Sequence, residues 1–254
     1  MRKPLFTLAA SVVFAAAGFG SATGQTAKTK VLIVVTSHNR MGDTGEPTGL
    51  WLSEMTHPYH VLDKAGFEID VASIKGGTAP VDPRSTAEED PVNAAFLNNA
   101  ERRSKLENTL SLNDVSPGNY AAILFSGGHG AVWDFPTSPS VDRVASAIAA
   151  KGGVVAAVCH GPAALLNVHK ENGELLIAGK RVAGFSNTEE KAAQLDHVVP
   201  FLLEDRLKQA GAQYVEGQMF TQHVVVDGRL VTGQNPQSAT AVGEAIVNLL
   251  RQPH

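Results

Sequence analysis

Val154-Val155-Ala156-Ala157-Val158 runs without a break into Cys159-His160-Gly161-Pro162 and on into Ala163-Ala164-Leu165-Leu166. Five apolar residues with no polar alternation predict a strand buried on both faces. The proline that follows so soon predicts a helix start just after a sharp turn. The rest of the chain repeats this pattern. Residues 31–35, 67–73 and 121–125 are similar apolar runs, and 50–65, 93–110 and 141–150 carry helical spacing. In the last of these, Val141, Val144, Ala145 and Ile148 follow i, i+3, i+4, i+7, opened by Ser138-Pro139 and closed by Gly152-Gly153. Strands alternating with helices imply an α/β chain with a mostly parallel sheet covered on both faces. Residues 224–226 and 229–232 around Asp227-Gly228 read as a tight hairpin, and 239–250 as a closing helix. Residues 76–118, rich in proline, asparagine and charge, are too long for a simple connection and read as a small inserted cap over one end of the sheet.

Composition narrows the function classes. The chain has 254 residues, 43% hydrophobic, with a formal net charge of −4. Bulk charge therefore argues against a nucleic-acid partner, and the length allows a core of ordinary size. One cysteine cannot close an intrachain disulfide. Met1-Arg2-Lys3, an apolar stretch over 5–19 and small residues up to Gly24 have the form of a signal peptide over 1–24, with the α/β domain over 29–254. The apolar run is shorter than the ~20 residues a membrane span needs. This reading expects a soluble, exported protein, periplasmic or secreted, with no membrane attachment after cleavage.

The turn at Cys159 is the chemical focus. It sits between the carboxyl end of a strand and the start of a helix, where the helix dipole favours an anion, so the thiol is expected to ionise readily. The arrangement is that of a nucleophile elbow, which other hydrolases build around serine. A second strand ends in Ser126-Gly127-Gly128-His129-Gly130. In a doubly wound sheet this loop faces the same crevice. Amides of Gly127 or Gly128, with that of His160, are candidates to hold an oxyanion, and His129 and Trp133 to contact substrate. No Gly-Lys-Ser/Thr follows, so this is not a phosphate loop. Glu54, His57 and His60 have spacings that suggest a metal, but Pro58 interrupts them, and the reading expects no metal and no cofactor.

Four motifs together, Ala156 through Pro162, Ser126 through Gly130, Thr48-Gly49 followed by Glu54, and Asp227 through Gly233 with Asn235-Pro236, resemble the ThiJ/PfpI superfamily, closest to its heat-shock chaperone and glutathione-independent glyoxalase branch. The resemblance implies a flavodoxin-like sandwich and a site of Cys159, His160 and Glu54, with Glu190 orienting the histidine and Glu189 as the rival for that role. It also implies a homodimer. The implied activity is that of a lyase of glyoxalase III (D-lactate dehydratase) type. Cys159 adds to the aldehyde of methylglyoxal, Glu54 moves the proton through an enediol with help from His160, and the thioester hydrolyses to lactate. A holdase chaperone acting on misfolded proteins, a deglycase acting on glycated ones and a cysteine peptidase are the alternatives.

Overall fold

The computed structural model describes Met1, residues 28–87 and residues 89–252. The proposed signal segment over 1–24 lies, apart from Met1, outside them. The strands are β1 (Lys30–Val35), β2 (Glu68–Ser73), β3 (Leu110–Ser111), β4 (Ala122–Phe125), β5 (Val154–Val158), β6 (Arg181–Val182), β7 (Gln213–Tyr214), β8 (Val224–Asp227) and β9 (Leu230–Gly233). The α-helices are α1 (Ser53–Lys64), α2 (Pro91–Asn98), α3 (Ala100–Glu107), α4 (Ala131–Asp134), α5 (Pro139–Ala150), α6 (Asn187–Ala192), α7 (Leu203–Gln209) and α8 (Ala239–Arg251).

Seven strands form one sheet in the order β3-β2-β1-β4-β5-β9-β8, parallel except for the β8–β9 hairpin; β6 and β7 form a separate pair. Val31 to Val35 and Ala122 to Phe125 are wholly inaccessible, as expected of central strands covered on both faces. Helices α1 and α8 pack on each other and against the sheet, while α5 packs on β4 and β5. Val141, Val144, Ala145 and Ile148 of α5 are all fully buried. This is the flavodoxin-like α/β arrangement. Successive strands step outward from β1 in both directions, and the crevice where the order reverses, at the carboxyl ends of β1 and β4, is where such sheets bind ligands.

Two helices differ from expectation. The single helix read over 93–110 is broken at Asn99, whose backbone is extended and whose side chain accepts from the Arg102 amide to cap α3. The segment after Cys159 is a seven-residue 3-10 helix, Gly161–Asn167, rather than an α-helix. Residues 76–118 supply α2, α3 and the edge strand β3, with α2 against α1 and α3 against β2. Pro58 does not end α1. Its missing N–H leaves the Glu54 carbonyl without a helical donor, and the Ser126 hydroxyl at the end of β4 donates to it instead (3.1 Å).

Candidate active site

Cys159 has φ of +58°, a conformation that costs a side-chain-bearing residue energy unless its surroundings impose it. They do: its amide donates to the Gly233 carbonyl of β9 (2.9 Å), and its own carbonyl accepts from the Phe185 amide (2.8 Å). Gly161 completes the turn, since a Cβ there would stand 2.1 Å from the Phe125 carbonyl oxygen. The sharp Cys-His-Gly turn is thus a packing requirement of β4 against β5.

The thiol is 3.3 Å from His160 Nδ1, and His160 Nε2 is 2.8 Å from Glu190 Oε2. The other oxygen of Glu190 meets His129 Nε2 at 2.9 Å, and His129 Nδ1 lies 3.3 Å from Arg84 Nη2. Arg84 is clamped by two contacts to the buried carboxylate of Asp82 (2.6 and 2.9 Å), which also accepts from Thr48 (2.8 Å). Donor and acceptor rules orient the whole chain. Arginine only donates, so His129 accepts at Nδ1 and donates at Nε2. Burial, then the neighbouring His160, pushes His129 down to about 4, which keeps it neutral as this tautomer requires. Burial works to raise Glu190, but the two histidines outweigh it and hold the carboxylate well below its ordinary range. The ionised Glu190 accepts from His160 Nε2, which leaves Nδ1 free to take a proton from the thiol.

Glu54 lies on the other side of the sulfur. Burial pushes it up to about 8, against the pull of the thiol and of the Gly127 amide, which donates to Oε2 (2.9 Å). Oε1 is buried with no hydrogen-bond partner, and the carboxyl group neighbours the Cys159 thiol. Burial and Glu54 together push the thiol well above its ordinary value, with the Gly128 amide pulling the other way. The expectation of a resting thiolate is therefore corrected: a 3-10 turn cannot offset the loss of solvent around sulfur and the adjacent carboxyl group.

The structure brings Cys159, His160, Glu54, Glu190, His129 and Gly128 together. Glu189 serves elsewhere, in a capping box with Ser186, and accepts from the Phe220 amide (2.9 Å) and Asn235 (2.8 Å). Gly127 does not present its amide to a substrate, because Glu54 already occupies it, and a Cβ there would meet Glu54 Oε2 and the His160 nitrogen at 2.6 Å. Trp133 is not in the cavity wall. Its short helix α4 turns it onto His38, with ring centroids 5.0 Å apart and planes 9° apart. Arg84 and Asp82 were not foreseen, since nothing local marks them within the inserted segment. Nor were Phe185, tilted against His160 at 4.5 Å, or Phe220 beyond it.

Cys159 is 3% exposed but opens into a cavity of about 530 Å³. Among the described residues, His129, His160 and Glu190 form the group whose ligand atoms lie close enough to hold a metal ion, within 4.8 Å of one another. Those atoms already satisfy each other, so a metal would have to displace both histidine–carboxylate bonds.

A family model described as the DJ-1/PfpI family matches residues 48–249. Glyoxalase 3 of Candida albicans is 34% identical over 235 residues, 86% of this chain and 97% of its own. The glutathione-independent glyoxalase HSP31 of Saccharomyces cerevisiae is 34% identical over 239 residues, 87% of this chain and 98% of its own. Among solved structures, the Rapid Encystment Protein of 24 kDa from Francisella tularensis superposes with a TM-score of 0.86 at 47% identity, covering 88% of this chain and all of its own. Glyoxalase III from Candida albicans gives 0.79 at 32% identity, covering 87% and 97%. The expectation of a periplasmic or secreted protein is overturned by these relatives: the Candida and Saccharomyces proteins are cytosolic. The apolar run on which that expectation rested lies outside the described residues. No helix among the described residues is long and apolar enough to cross a membrane.

Proposed function

The chain belongs to the DJ-1/PfpI family, and from that premise we propose that it is a glutathione-independent glyoxalase whose own thiol replaces the cofactor thiol, with 2-oxoaldehydes such as methylglyoxal as substrates. The observation that carries the reading is the base and the acid that meet one sulfur. A neutral thiol stands between a histidine base backed by an ionised Glu190 and a Glu54 carboxyl that burial keeps protonated near neutral pH.

In the proposed cycle the thiol proton passes to His160 as sulfur bonds to the aldehyde carbon, and Glu54 gives its proton to the aldehyde oxygen. Glu54, now a carboxylate, removes the hydrogen of that carbon, and imidazolium protonates the adjacent ketone oxygen to give an enediol. Glu54 returns its proton to the neighbouring carbon while the first hydroxyl loses its own to His160, leaving a 2-hydroxy thioester. The first carbon is oxidised and the second reduced by the same electron pair, so no external oxidant enters. Water then loses a proton to Glu54 as it adds to the thioester carbon, and imidazolium protonates the departing sulfur, which gives the 2-hydroxy acid and restores the thiol, protonated Glu54 and neutral His160. One buried carboxyl serves as acid and then base because its value, about 8, lies near the working pH. The Gly128 amide beside sulfur supports the sulfur's developing charge.

Lactate formation from methylglyoxal without glutathione tests this, with Cys159→Ala expected to abolish it. The same variant separates the holdase alternative, which needs no thiol. Chiral analysis of the lactate tests the D-lactate dehydratase assignment.

A further inference from the structure

Methylglyoxal has five non-hydrogen atoms and displaces on the order of 100–150 Å³ at the roughly 30 Å³ a water takes in the liquid. The cavity over Cys159 is several times larger, about 530 Å³. Besides the residues around the sulfur, its lining carries polar side chains from three elements. Ser53 and His57 stand on α1, Asn93 on α2, and Gln237 beside the start of α8. His57 is fixed at both ring nitrogens, to Asp90 (2.8 Å) and to Thr240 (3.1 Å). Asn93 uses its carbonyl oxygen for Thr56, which leaves its amide hydrogens for an occupant. Trp51, Phe185 and Phe220 also line the cavity and add flat apolar faces, that of Phe185 lying next to His160.

We infer that the volume methylglyoxal leaves over, lined by these groups, is a polyol subsite, and that the preferred substrates are sugar-derived 2-oxoaldehydes with a neutral, hydroxylated tail of three or more carbons. Mixed donors and acceptors over aromatic faces suit hydroxyl groups and the C–H faces between them. The charge balance excludes a phosphorylated tail: Glu89 and Asp90 line the cavity, and the guanidinium of Arg84 is already paired with Asp82. The chemistry at Cys159 is unchanged, so the product is the 2-hydroxy acid of the same chain. For turnover the inference rests on the proposed glyoxalase reading; for binding it does not.

Two measurements on the purified full chain test it. In the first, kcat/KM for 3-deoxyhexos-2-ulose, referred to its open-chain fraction, is compared with that for methylglyoxal. The longer aldehyde is expected to be at least tenfold better, and the ratio to fall at least fivefold in Gln237→Leu and in Ser53→Val, with melting curves checking the fold. In the second, both aldehydes are titrated calorimetrically into Cys159→Ala. Binding is expected for the six-carbon compound at tenfold or more lower concentration than for methylglyoxal, and is expected to be lost on adding Gln237→Leu. Turnover of methylglyoxal with no advantage for the longer aldehyde overturns the subsite and leaves the glyoxalase reading intact. Binding of the longer aldehyde with turnover of neither overturns the glyoxalase reading and supports the subsite.

Discussion

Glu54 on α1 and Glu190 on α6 are the same residue type, at 0% and 2% exposure, on either side of one catalytic unit, yet the protein drives them in opposite directions. Glu190 meets two imidazoles and is held ionised. Glu54 meets one amide and a thiol, and is pushed up to about 8. Burial is common to both and acts on both alike, so partners decide the outcome. In the proposed cycle Glu54 gives and takes a proton, while Glu190 does neither and only orients its histidine.

The largest test of that contrast is Glu54→Gln. It keeps the amide contact but cannot shuttle a proton, so kcat/KM for hydroxy acid formation is expected to fall about a thousandfold or more. The same variant alters the stability profile. A folded value of about 8 against 4.5 unfolded means that this contribution to stability is complete below pH 4.5 and declines as pH rises to about 8, by on the order of 5 kcal/mol in all at 1.36 kcal/mol per unit. Urea melts from pH 4 to 9 are expected to lose that slope in Glu54→Gln.

Glu190→Gln is expected to act in the reverse proportion. It leaves the nucleophile and proton shuttle in place but releases His160, lowering kcat about a hundredfold, and it costs about 3 kcal/mol at pH 7 by breaking a buried charged network. Because Glu190 is depressed when folded, its contribution is present above pH 4.5 and lost as pH falls below it. The acid limb of the stability curve should therefore flatten in this variant.

Two smaller changes sharpen the comparison at its edges. Arg84→Gln removes the fixed donor that sets the His129 tautomer, and is expected to lower kcat about tenfold. Its side chain is 44% exposed but its partner Asp82 is fully buried and keeps only Thr48 and backbone donors, so stability should fall by roughly 1–3 kcal/mol. Glu189→Gln, one residue from Glu190, is expected to cost about 1 kcal/mol through the helix cap and to change kcat only a few-fold, since its hydrogen bonds go to Ser186, Asn235 and the Phe220 backbone and none to His160 or Cys159. A Glu189→Gln enzyme as impaired as Glu190→Gln would show that the two neighbours had been assigned the wrong way round.

The sequence by itself determined the six longer strands, though not the two-residue β3, β6 and β7, together with the turn at Cys159 and the helical face of α5. Each depends on local rules: apolar runs, turn residues and the 3.6-residue period. It also drew Glu54, His160 and Glu190 into the site, through motif resemblance rather than through any local rule. Only the tertiary structure decided which of Glu189 and Glu190 holds the histidine, that Gly127 serves Glu54, that Trp133 faces His38, and that an arginine from the inserted segment completes the relay. It decided the protonation of the sulfur as well, in the sense opposite to the helix-dipole argument. The physical reason is that a proton's free energy depends on solvent exclusion and on charges a few ångströms away, and here those come from residues 30 to more than 100 positions distant along the chain.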